Sequence, residues 1–286
     1  MQIIIGLIVL LIFGLFFYTR RQMYSKLKLH IYLKNPKLSK DLQFIKIDLK
    51  TSDGVKISSW YMPVKNPKAV LILVDGYKET NEEKIRMFGH AEYLRKAGYS
   101  CILIDLRSFG ESEGNKITFG VNEWKEAEAA YDYVKGLPEN KNKKIGFLGI
   151  SMGGVISIIT KGMTGKGDFI IALTPYANFK SLFGFRIRKK KLPSFFLPIL
   201  RIVALFELGF SYEHYTAINM IKKVDVPIFI GSAKFDQIVN SFDAKLLYDV
   251  ARNPKEYWQA NTSHRIFIDS PKELQKKVLG FLSKYI

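Results

Sequence analysis

The sequence predicts an α/β domain, a mostly parallel sheet with helices on both faces. Three observations carry that expectation. Apolar runs of strand length alternate with helix-length segments from residue 69 to the C-terminus. One run, Ala69-Val70-Leu71-Ile72-Leu73-Val74, is apolar without interruption, as a strand covered on both faces should be. The third is Gly149-Ile150-Ser151-Met152-Gly153, which joins a strand-like stretch, 143–148, to a helical one, 152–163.

Taken in order, residues 3–18 contain no charged side chain and, with Met1 and Gln2, reach the lower end of a membrane-spanning length. The charge that follows lies wholly on the C-terminal side, and no small-residue cleavage pattern appears. Residues 1–19 are therefore expected to be an uncleaved single-pass anchor, with the domain after it in the cytoplasm. Residues 20–41 read as a basic juxtamembrane linker, and residues 42–286 as the folded domain.

That domain opens with a hairpin. Gln43–Leu49 alternates polar and apolar, Ser52-Asp53-Gly54 supplies the turn, and Val55–Tyr61 returns. Strand 69–74, helix 82–97, strand 99–104, helix 120–135, strand 143–148, helix 152–163 and strand 168–174 follow. Residues 178–223 break the rhythm and read as an inserted helical lid with an apolar centre, Leu192–Leu200. Alternation resumes with strand 226–231, helix 240–250, strand 255–260 and a closing helix 271–286.

Composition narrows the chemistry. The single cysteine, Cys101, excludes an intrachain disulfide framework, and it falls in an apolar strand. The four histidines, His30, His90, His214 and His264, form no metal-ligand spacing, so neither a metal nor a cofactor is expected. A net charge of +18 implies an anionic partner. Residues 20–40 and 180–206 each hold seven basic side chains and no acid. The first block directly follows the apolar segment, which favours an anionic membrane surface over nucleic acid. No nucleic-acid-binding module is present.

The pentapeptide has the layout of a nucleophile elbow, with Ser151 on a sharp strand-to-helix turn and Gly149 and Gly153 where side chains would collide. The amide of Met152 then points from a helix N-terminus toward a developing oxyanion. A serine so placed needs a base and an acid to orient it, and the chain order is serine, acid, histidine. Only His264, between the last strand and the last helix, comes late enough. Asp236 follows strand 226–231 at its C-terminal edge, where open α/β sheets bind ligands. Asp225 lies at the wrong end of that strand, and Asp243 and Asp249 are expected to face solvent from the next helix. The loop Asp75-Gly76-Tyr77 offers the amide of Tyr77 as a second oxyanion donor.

On these residues the sequence resembles the α/β-hydrolase superfamily over about 42–286. It is most similar to serine hydrolases with prolyl-oligopeptidase-like or serine-aminopeptidase-like domains. Asp105-Leu106-Arg107-Ser108-Phe109-Gly110-Glu111-Ser112 is similar to the family's D-x-R-G-x-G-x-S loop, which buttresses the site and does not react. Two positions depart from the family: Asp75 stands where histidine is usual, and Ser108 where glycine is common. The resemblance implies the α/β-hydrolase fold and a serine hydrolase working through an acyl-enzyme without cofactor. The apolar lid and basic stretches favour acyl esters or thioesters of lipid-like substrates at a membrane. The alternatives are a serine peptidase and a non-catalytic, membrane-tethered binding or scaffold protein.

Overall fold

The computed structural model describes Gly14, Phe17, Tyr18, Arg20 and Arg21, and residues 43–286 apart from 78–80, 192, 194, 195, 210 and 211. The expected anchor and linker fall outside these residues but for those five. No helix among the described residues is long and apolar enough to cross a membrane.

Eight strands form one sheet in the order β1-β2-β4-β3-β5-β6-β7-β8. They are β1 (Ile45–Lys50), β2 (Lys56–Met62), β3 (Ala69–Val74), β4 (Ser100–Ile104), β5 (Lys144–Ile150), β6 (Ile170–Leu173), β7 (Ile228–Ala233) and β8 (Lys255–Ala260). Only β2 runs against its neighbours, pairing with β1 at Ile47↔Ser59 and with β4 at Tyr61↔Ile102. All pairs from β4 to β8 are parallel.

The helices are α1 (Asn81–Lys96), α2 (Trp124–Gly136), α3 (Met152–Thr164), α4 (Phe179–Lys189), α5 (Phe196–Leu208), α6 (Ala217–Met220), α7 (Ser241–Val250), α8 (Ile266–Asp269) and α9 (Pro271–Tyr285). The pleat of β3 shows how they cover the sheet. Val70, Ile72 and Val74 join one core with Ala127 of α2, Val155 of α3 and Leu247 of α7. Leu71 and Leu73 join a second core with Leu94 of α1 and Leu274, Val278 and Phe281 of α9. A strand buried on both faces has no polar side to show, which is why Ala69–Val74 is apolar throughout.

Helix α2 starts four residues later than its apolar pattern predicts, and Glu123 is the cause. Its carboxylate accepts from the amides of Thr118 (2.5 Å) and Gly120 (2.7 Å) and from the Thr118 hydroxyl (2.8 Å). That closes a tight loop through the left-handed Phe119 (φ 53°) and Gly120 (φ 105°) before the helix can begin.

Asp243 corrects an expectation. It does not face solvent but is buried in the first turn of α7, accepting from Ala177 N (3.0 Å) and Ser181 Oγ (2.5 Å). It thereby fastens the start of the inserted segment to the domain. Asp249 is exposed and paired with Lys245, as the helix periodicity implies.

The described part of residues 178–223 holds the helices α4, α5 and α6 and no strand. Asn178 caps α4 by accepting from Ser181 N (2.9 Å). Phe179, Leu182, Val203, Ala204, Leu208 and Tyr212 of this segment are buried in the first core. Glu207, nearly buried at the end of α5, accepts from Arg20 Nε (2.7 Å) and Lys116 Nζ (3.4 Å). A carboxylate this enclosed is tolerable only with such partners.

Candidate active site

Ser151 occupies the junction of β5 and α3 with φ 54° and ψ −116°. A non-glycine residue there is strained by roughly 1–3 kcal/mol, and the surroundings hold it in place. Its amide donates to Leu173 O (2.7 Å). A Cβ on Gly153 would lie 1.9 Å from Val74 O, and one on Gly149 2.2 Å from Gly153 O. Neither position admits a side chain without moving the backbone of β3 or of the turn itself. The Met152 amide heads α3, whose first turn carries no acid.

The loop after β3 closes over the elbow. Gly76 is near enough that an added Cβ would meet Ile150 O at 3.0 Å and Ser151 Cβ at 3.2 Å. Asp75 is buried and accepts from the Gly76 amide through Oδ1 (2.7 Å), so its carboxylate shapes the turn locally. The Tyr77 ring stacks on Phe119 (centroids 5.8 Å) and meets Phe109 edge-on (5.9 Å). Those rings fix where the Tyr77 backbone lies.

Asp236 follows β7 in a tight turn that it organises itself. Its Oδ1 accepts from the amides of Ile238 and Val239, both at 2.8 Å. Its Oδ2 faces His264 Nδ1 at 2.6 Å. The carboxylate is almost fully enclosed and the imidazole only partly so. His264 follows β8, and the backbones of the two loops are tied by Phe235 N to Thr262 O (2.9 Å) and Lys234 N to Ala260 O (2.9 Å). Because β3, β5, β7 and β8 are parallel, Tyr77, Ser151, Asp236 and His264 all leave the sheet at one edge.

The other histidines of the described domain lie elsewhere. His90 is buried in α1, where burial depresses its pKa to about 4. His214 is exposed in the inserted segment. Among the described residues no group of histidine, cysteine and acidic side chains could hold a metal ion.

The loop 105–112 packs beside this edge. Arg107 is buried and paired with Glu126 and with Asp53 (3.1 Å). Burial would raise the pKa of Asp53, but the Thr51 hydroxyl, Lys125 and Arg107 outweigh it and hold it at about 2. Ser108 has φ 65°, which accounts for the frequency of glycine at this place in similar loops. Here a serine accepts the strain.

A cavity of about 840 Å³ lies within the inserted segment, bounded by Phe179, Phe183, Leu197, Leu205, Tyr212 and Ile218 among others. None of Ser151, Asp236 and His264 lines it. The rings of Phe179 and Phe183 meet Phe119 edge-on at 6.2 Å, and Phe119 stacks on Tyr77. This aromatic chain links the cavity wall to the loop above the elbow. Periodicity could not find it, because Phe119, Tyr77 and Phe183 lie far apart in sequence.

A family described as serine aminopeptidase, S33, matches residues 65–193. An Arabidopsis thaliana protein, the α/β-hydrolase domain-containing protein WAV2, is 25% identical over 72% of this chain and 67% of its own length. The polyketide transferase ATR5 of Stachybotrys chlorohalonatus is 25% identical over 46% of this chain and 45% of its own length. Among solved structures, an esterase from Pyrococcus furiosus superposes with a TM-score of 0.75 at 21% identity, covering 90% of this chain and 98% of that one. The fold is that of the α/β-hydrolases.

Proposed function

We propose that this α/β-hydrolase-fold chain is a serine hydrolase that cleaves carboxylic esters or thioesters through an acyl-enzyme on Ser151. The observation that carries the reading is the 2.6 Å contact of His264 Nδ1 with Asp236 Oδ2, at the sheet edge where Ser151 stands on a strained elbow. With Nδ1–H donating to Asp236, the other ring nitrogen is left to act as a base. It takes the Ser151 proton as Oγ adds to the acyl carbonyl. Asp236 holds the tautomer and stabilises the imidazolium, its own charge already steadied by the Ile238 and Val239 amides. The amides of Tyr77 and Met152 receive the tetrahedral oxyanion. The imidazolium then protonates the leaving alcohol or thiol, and water resolves the acyl-enzyme by the same steps in reverse order.

The substrate reading is an acyl or lipid-like ester met at a membrane, with residues 1–19 as the tether. It draws on the apolar inserted segment, the basic stretches beside it and the esterases among the structural neighbours. A second reading, amide cleavage, is favoured by the description of the matching family as a serine aminopeptidase. Assays of matched ester and anilide substrates separate the two.

The test of the nucleophile is direct. Wild type reacts with a fluorophosphonate probe and hydrolyses a water-soluble short-chain ester. Ser151→Ala loses the label and about 10⁴-fold or more in kcat while melting at the same temperature. Labelling or turnover that survives this substitution refutes the assignment.

A further inference from the structure

The loop that carries Asp236 turns its apolar side chains outward. Asp236 itself is buried, yet Phe235 and Ile238 beside it are 52% and 41% exposed. Helix α7 continues the pattern. Phe242 and Leu246, one turn apart, are 77% and 46% exposed, while Ala244 and Leu247 are buried. Ile268, on the short helix after His264, is also exposed. Large apolar side chains scattered singly over a surface are ordinary, whereas five on the segments flanking one acid–base pair are not.

Positive charge borders this apolar surface. Lys189 Nζ donates to Gln237 Oε1 (2.6 Å), which brings the C-terminal end of α4 against the acid loop. Arg188, Lys189, Lys190 and Lys191 are all exposed there, and Lys234 and Lys245 are exposed on the segments that bear the patch. Of the nearby acids, only Asp249 offsets one of these cations, Lys245. Asp269 accepts from the Ser263 amide (3.1 Å) and hydroxyl (2.6 Å), and Asp243 is turned into the fold.

We propose that this face docks on an anionic lipid bilayer. Phe235, Ile238, Phe242, Leu246 and Ile268 enter the boundary between headgroups and acyl chains, and Arg188 to Lys191 lie among the headgroups. Apolar burial and attraction to anionic lipid act together in such binding, the latter at about 1 kcal/mol per basic residue near the surface. The sequence repeats the same chemistry at its other end, apolar over 3–18 and basic over 20–40, which singles out lipid as the occupant. The docking surface deepens the lipid-ester reading and rests on it only for what the bilayer delivers to Ser151.

Cys101 is the single cysteine and is buried, so an introduced cysteine can be labelled alone. In the full chain, Leu246→Cys carries an environment-sensitive fluorophore and is titrated with vesicles of phosphatidylcholine, with or without phosphatidylserine. Bulk sedimentation would also register residues 3–18, whereas this probe reads only its own face. On phosphatidylserine-containing vesicles the emission shifts to the blue and nitroxide-labelled lipid quenches it. Replacing Lys189, Lys190 and Lys191 with alanine raises the lipid concentration at half-shift roughly tenfold or more. The same label on Lys141→Cys, in the loop that enters β5 at the opposite sheet edge, stays in water. The proposal is overturned if the probe at 246 stays in water, shifts equally on neutral vesicles, or behaves as the probe at 141. Adding Ser151→Ala to the labelled chain removes ester turnover and leaves the shift, so failure of docking and failure of the catalytic reading are seen apart.

Discussion

Ser151 and the Asp236–His264 pair leave the sheet at one edge, yet the chain holds them by different means. At the elbow the constraint is packing. Gly153 lies against Val74 O and Gly76 against Ile150 O, so the backbone has no room to relax and the serine stays in its strained conformation. At the acid–base loops the constraint is hydrogen bonding. Two amides and one imidazole converge on a single carboxylate, while the flanking apolar side chains face outward. A site held by packing fails when volume is added. One held by hydrogen bonds fails when an acceptor becomes a donor.

Substitutions at the two places can break or sharpen that contrast. The largest effect is expected from Asp236→Asn. Its amide oxygen can still serve Ile238 and Val239, so the turn survives, but its NH₂ meets His264 Nδ1 and imposes the wrong tautomer. A fall of about 10⁴-fold in kcat is expected, with little change in melting temperature. A large drop in stability would show that the loop depends on the charge. Gly153→Ala should do the reverse, costing about 4 kcal/mol in denaturant unfolding because its Cβ has only main chain to displace. A stable Gly153→Ala protein would refute packing as the constraint.

Asp243→Ala strips the Ala177 amide and Ser181 hydroxyl of their acceptor and should cost about 2 kcal/mol. Asp243→Asn can serve both groups and should be milder. Burial raises the pKa of Asp243 against the lowering effect of its Ser181 and Ala177 hydrogen bonds. The folded state therefore binds this proton more tightly than the unfolded chain. That contribution to stability is full below pH ~3.8 and is lost as pH rises through the folded pKa. The Asn variant should gain on wild type over that rise, as unfolding at a series of pH values will show. The smallest effect belongs to Gly76→Ala, whose added Cβ would meet Ile150 O at 3.0 Å and Ser151 Cβ at 3.2 Å, tight but not prohibitive. About 1 kcal/mol of stability and roughly tenfold in kcat/KM are expected, through displacement of the Tyr77 amide.

What the sequence disclosed follows the same division. Packing leaves a local imprint. Ala69–Val74 is apolar because it is buried twice over, and glycines stand where main chains touch, so the sheet and the elbow were readable. Eight strands were expected, and eight are present among the described residues. The candidates Asp236 and His264 came from chain order, and the structure brings their side chains into contact across 28 residues. Long-range polar links leave no such trace. The partners of Asp243 are 62 and 66 residues away, so its place in the first turn of a helix suggested only a solvated acid. The late start of α2 was equally hidden, since a glutamate reaching back to Thr118 and Gly120 looks in sequence like an ordinary helical residue.

The direction of β1 has a consequence for the path by which the chain reaches the sheet. Because β1 and β4 both run antiparallel to β2, the chain enters the sheet at Ile45, at the edge opposite Ser151. Arg20, however, reaches Glu207 in the inserted segment. The 24 intervening residues have a contour length of about 80 Å, several times the ~20 Å height of a six-residue strand. The span from Arg20 to Ile45 is thus longer than the sheet is high, so a chain that enters the sheet at one edge also reaches the inserted segment that follows β6 at the other.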